Sequence, residues 1–162
     1  MQSGVLANNE SRDFTHFFRF SYKDLKTAGF LSTIGAANQV RIGSLPSGGA
    51  VTNIAFFQVT DPVGTADLTA DVGWTGADPD ELIDLLDVDA LVKATYNTGD
   101  AFTAEAGTTD PIGATNAAVN NTAAAVTLLL EFNGTVANLT AGEWVIAWHQ
   151  CDPGRFGTNP VT

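Results

Sequence analysis

Along most of the chain, apolar side chains return at every second position in short runs separated by Gly, Pro and Asn. That period is the mark of strands joined by turns. In the run 65–74, Ala66, Leu68, Ala70, Val72 and Trp74 share one side while Asp67, Thr69 and Asp71 share the other, because successive side chains on a strand point to opposite faces. The run 144–149 repeats this with Trp144, Ile146 and Trp148. Further strands are predicted over 14–20, 38–45, 50–60, 90–97 and 125–132. Seven or eight short strands with no long crossover helices predict an all-β fold, a two-sheet antiparallel sandwich of jelly-roll-like form.

One segment departs from the period of two. Leu82, Leu85 and Leu86 stand at the i, i+3, i+4 spacing of a helical face, which predicts a short inserted helix near residues 79–88. Asp78 is placed to cap it, Pro79 suits its first turn, and Glu81 completes a capping box. Two turns carry a Leu ahead of a Gly, at Leu45 to Gly49 and at Leu139 to Gly142, where the Leu anchors the reversal and Gly relieves the backbone. The stretch 103–125 has no period and reads as a long loop with room for a short strand. Residues 1–13 lack a core-sized apolar set and read as an N-terminal arm, 14–151 as the sandwich and 152–162 as a C-terminal tail.

With 162 residues the chain supports one core, hence one domain. Eighteen acids against seven bases give a formal charge of −11, which argues against nucleic acid or an anionic membrane as partner. The longest apolar run, Ala123 to Leu130, falls well short of the ~20 residues of a spanning helix, and no basic start followed by an apolar run marks an export signal. One cysteine, Cys151, excludes an intrachain disulfide; with two histidines in the chain it also excludes a zinc site rich in thiolate or imidazole.

The acids concentrate between Asp61 and Asp110, whereas Arg12, Arg19, Lys23, Lys26 and Arg41 lie toward the N-terminus. Asp78, Asp80 and Asp89 stand at positions 1, 3 and 12 of a possible calcium loop, but Ile83 occupies the place where the loop's turn needs Gly. Acids at a helix start account for them without an ion, so no metal or cofactor is expected. No carboxylate pair of the glycosidase kind is picked out: Glu131 falls opposite Val126, Leu128 and Leu130, and Glu143 opens the last strand. His149 and Cys151 share a strand face yet lack a third partner for nucleophilic chemistry. Asn-x-Ser/Thr triplets begin at Asn9, Asn120, Asn133 and Asn138 and read as turns. No enzyme is expected.

More informative are apolar residues on faces that should be wet: Phe17 opposite Phe14, Phe18 and Phe20; Ile54 and Phe56 opposite Val51, Ala55, Phe57 and Val59; and Leu129 between Leu128 and Leu130. Burying such a side chain is worth ~1.5–3 kcal/mol. Phe17, Ile54, Phe56 and Leu129 are therefore expected to form an oligomer interface, since a single helix offers too little cover.

Taken in order, the segments FRFSYKDL, VRIGSLPSGGAVTNIAFFQVT, ADLTADVGWTGADPDELID and LLLEFNGTVANLTAGEWVIAW resemble a class of tailed-bacteriophage virion proteins. The resemblance runs from about Phe14 to Trp148 and rests on structural turns. It implies a jelly-roll capsid decoration, or cement, protein: a homotrimer on the capsid surface, made in the host bacterial cytoplasm and bound to the outer face of the major capsid protein. On this reading Arg12, Phe14 and Arg19 dock onto the capsid. The alternative is a tail-fibre or collar module binding a receptor or carbohydrate, which needs exposed aromatics in a shallow groove. Trp74, Trp144 and Trp148 alternate onto apolar faces, which favours cement.

Overall fold

A computed structural model describes residues 1–5, 14–29, 38–64, 68–74, 79–88 and 118–152. Among them are nine strands: β1 (Gln2–Val5), β2 (His16–Ser21), β3 (Gln39–Leu45), β4 (Ala50–Val63), β5 (Thr69–Gly73), β6 (Ile83–Asp87), β7 (Ala118–Val119), β8 (Val126–Asn133) and β9 (Ala141–Cys151). A short helix α1 (Tyr22–Thr27) follows β2, and a 3₁₀ turn at Val136–Asn138 precedes β9. The strands form two antiparallel sheets, ordered β1-β2-β9-β4-β7 and β3-β8-β5-β6. Strand β2 pairs with β9, β3 with β8, β4 with β7 and β5 with β6. This nesting is that of one long hairpin rolled into two layers, the jelly roll. Strand β1 adds an edge beside β2.

The core fills the space between the sheets. Phe20 on β2 lies at its centre, stacked on Trp144 at 5.5 Å between ring centroids and edge-on to Phe56 and Phe132. Phe18, Ile146 and Trp148 extend the layer on one sheet, and Leu128, Leu130, Ala70 and Val72 answer it from the other. Gly43 on β3 admits the Trp148 indole, since a Cβ there would stand 2.9 Å from its ring. Gly64, with φ of +104°, brings the end of β4 against the Asn138 carbonyl, where any side chain would collide.

Residues 79–88 do not form the helix their spacing predicts. Strand β6 occupies 83–87 and pairs with β5, so that Leu82, Ile83, Leu86 and Val88 are buried. The amide of Leu82 donates to the Val72 carbonyl at 2.8 Å, and that of Val88 to Leu68 at 2.9 Å. Glu81 does not close a capping box; its carboxylate accepts from the Trp74 amide at 2.7 Å. Tertiary pairing overrides a local pattern that short apolar runs share between helix and strand. Asp78, the expected cap, lies outside the described residues.

The helix that does form, α1, has its own capping box. Ser21 Oγ accepts from the Asp24 amide, and the Asp24 carboxylate accepts from the Ser21 amide at 2.8 Å. The expected N-terminal arm contains a strand, because Gln2 to Val5 pair with Arg19 to His16. Strand β7 lies in the segment read as a loop, and the predicted strand over 90–97 lies outside the described residues. Asn120, just past β7, is wholly buried. Its amide nitrogen donates to the carbonyls of Leu45, Pro46 and Ala124 at 3.1, 3.0 and 2.9 Å, fastening the turn between β3 and β4.

Candidate functional site

The outer face of the five-stranded sheet carries a second apolar cluster. Phe17 on β2, Ala147 on β9 and Ala55 on β4 are cross-strand neighbours in one row, and Arg19, Val145 and Phe57 form the next. Phe14 folds back from the start of β2 onto Phe57, edge to face at 6.2 Å. Phe14, Ala55 and Ala147 are buried, while Phe17 and Phe57 pack against them half-buried. Small residues in the central strands and large aromatics around them build a shallow apolar platform facing away from the core.

A bulge in β4 sets which residues reach this platform. The register with β9 shifts between Val51 and Asn53, so an extra residue resets the alternation. Val51, Ile54 and Phe56 all point into the core, and Ala55 and Phe57 point outward. Ile54 and Phe56, at 1% and 0% exposure, are therefore not interface residues. The expected interface set is split further: Phe17 lies on the platform, whereas Leu129 lies on the other sheet, opposite Arg41 and Gly73. These four residues do not share a surface.

Of the expected docking residues, Phe14 is 8% exposed, so it shapes the platform more than it presents area. Arg19 is exposed beside it. Its guanidinium donates to Glu143 at 2.7 Å, and the hydrogen bond and charge of Glu143 raise its pKa above the ordinary value. Arg12 lies outside the described residues. Near Arg19, two depressions of about 200 and 300 Å³ meet at Ser21 and Glu143, at or below the low end of the ~300–1,000 Å³ typical of small-molecule pockets.

The other candidate chemistry resolves into structure. His149 Nδ1 lies 2.6 Å from Thr52 Oγ1 and 3.9 Å from Cys151 Sγ, so the hydroxyl is the close partner of the ring and the thiol a distant one. Trp144 and Trp148 are core, and Trp74 is packed against it. Of the Asn-x-Ser/Thr triplets, Asn120 and Asn133 are buried and hydrogen-bonded, Asn138 is exposed on the 3₁₀ turn, and Asn9 lies outside the described residues.

Sequence reasoning missed a polar cluster on the outer face of the four-stranded sheet. Asp71 and Glu131 are direct cross-strand partners there, at 2% and 1% exposure. Gln39 Nε2 donates to Glu131 at 2.6 Å, and Asn133 Nδ2 to Asp71 at 2.5 Å. The readable signal is alternation itself: Asp71, Glu131 and Asn133 recur on the non-core sides of strands whose core sides are plain. Among the described residues no three His, Cys, Asp or Glu side chains converge as a metal site. No helix there is long and apolar enough to cross a membrane. Comparison of the chain with protein-family models, curated proteins and solved structures finds no match in any of the three.

Proposed function

We propose that the chain is a non-enzymatic structural protein of a tailed-bacteriophage virion, which decorates the capsid as a homotrimer bound to the outer face of the major capsid protein. The order of sequence motifs from Phe14 to Trp148 supports the class, and the jelly-roll topology fits it. One observation carries the reading: an aromatic platform built around Phe17 and Phe57 on a sheet face that the fold's own core does not use. Joining capsomers needs buried area and rigid display, and a sheet with small central residues under an aromatic rim supplies both. Arg19, at the margin of the platform, lends charge to orientation, and Arg12 belongs to the same basic N-terminal region.

Heads of the encoding phage, stripped of this protein, test the proposal. Full-length protein should decorate them in an ordered array by cryo-electron microscopy, and Phe17→Asp, a change outside the core, should fold normally yet leave heads bare. Failure of the unaltered protein to decorate, or equal decoration by both forms, overturns the assignment.

A further inference from the structure

We propose that one internal water molecule is bound between Trp144 and Gln58 as a structural part of the sandwich core. The two residues are direct cross-strand partners on β9 and β4, so their side chains leave the same face of the sheet. That face is the inner one: Trp144 is fully buried and Gln58 is 2% exposed. Trp144 Nε1 can only donate and Gln58 Oε1 can only accept, and both are buried without a hydrogen-bond partner. The two needs are complementary, yet the atoms do not bond each other. Buried polar groups left in that state are costly and are normally answered by protein or by ordered water.

Neither side chain is free to close the gap by itself. The Gln58 amide is held through Nε2, which donates to Asp61 Oδ1 at 2.9 Å; turned over, it would set its carbonyl against that carboxylate. The indole is stacked on Phe20 and packed at 5.4 Å between ring centroids against Phe132. Gly142 lies so close to it that a Cβ there would collide with the ring. A molecule that accepts from the indole and donates to the amide satisfies both, and water is the smallest that does. A buried water takes two to four polar partners. The register of β4 on β9 shifts between Gln58 and Thr60, and a bulge of this kind leaves backbone groups outside the ladder to serve as the further partner. One residue pair along, Thr60 and Glu143 line a depression of about 300 Å³, which brings solvent close to the site. The aromatic platform lies on the opposite face of the same sheet and is not involved.

Nuclear magnetic resonance of the full-length protein in water tests this directly. The indole proton of Trp144 should show a cross-peak to water of opposite sign in laboratory-frame and rotating-frame Overhauser spectra, which marks a bound water rather than proton exchange. Gln58→Leu removes the acceptor and should lose that cross-peak while the Trp144 indole signal remains. A high-resolution crystal structure of the unaltered protein should show one ordered oxygen within hydrogen-bond distance of both Trp144 Nε1 and Gln58 Oε1, and it decides the matter if Gln58→Leu does not fold. A direct bond between the two side chains, a dry gap between them, or a cross-peak retained in Gln58→Leu overturns the proposal.

Discussion

Phe56 and Phe17 sit on the two strands that flank β9 in one sheet, with opposite fates. Phe56 is fully buried among Phe20 and Phe132, so Phe56→Ala should cost about 3–5 kcal/mol in urea unfolding through lost transfer energy and a cavity. Phe17 is half-buried on the outer cluster, and Phe17→Ser should cost about 1 kcal/mol. Equal costs would show that the two faces are buried alike. Asn120 offers a polar counterpart. Its amide holds three carbonyls and its Oδ1 accepts from the Thr122 amide and hydroxyl. Asn120→Ala should therefore destabilise the fold by about 1–3 kcal/mol, read by thermal melting. The triplet beginning at Asn120 thus marks a structural staple, which no local pattern distinguishes from a surface turn.

Among elements, α1 is short and depends on its cap. Burial alone would raise the Asp24 pKa, but hydrogen bonds from the terminal ammonium and from Ser21 outweigh it and hold the carboxyl below its ordinary value. A lowered folded-state pKa means the stabilisation is complete above the unfolded value, ~3.9, and is lost as pH falls through the lower folded one. Asp24→Ala should therefore melt below the unaltered protein at neutral pH, by about 1 kcal/mol in stability. The gap should close in acid below pH ~4; a gap unchanged there contradicts the cap. Neither α1 nor β6 is among the elements the sequence pattern predicts: the Ser21-x-x-Asp24 box carries Asp where the common pattern has Glu or Gln, and β6 falls where a helix is expected. Its leucines satisfy a helical spacing, and only its pairing with β5, a non-local fact, decides the outcome. Strands β5, β8 and β9 were legible because their alternation is unbroken where they matter. Strand β4 was legible as a strand but not in its facing, because one bulge residue exchanges which apolar set meets the core.

At the scale of the molecule, the N-terminal segment is both edge and arm. Removing residues 1–13 deletes β1 and exposes the backbone of β2, an open edge that invites intermolecular pairing. The truncated sandwich should keep its far-UV circular dichroism yet aggregate with time in light scattering. A stable, non-aggregating truncation would show that β1 does not guard the edge. If the proposed trimer forms in solution, the full chain should scatter as about three times the 16.9 kDa monomer at micromolar concentration. A uniform monomer at that concentration contradicts a trimer formed in solution.

The nested pairing also orders the protein's synthesis. Of the nested pairs, β5–β6 closes the shortest loop, and each pair outside it closes a longer one, until Arg19 on β2 meets Glu143 on β9 across 124 residues. Contacts so distant are slow to form. Assembly should proceed outward from β5–β6, and β9, which lies between β2 and β4, joins last. A ribosome that has released residues up to 133 therefore holds β2 and β4 with an empty lane between them. Chains stalled at that length should be digested readily by protease, and chains with Cys151 clear of the exit tunnel should resist. For the cell, the hazard is greatest while β9 is still being made, when one missing strand leaves the larger sheet in two pieces.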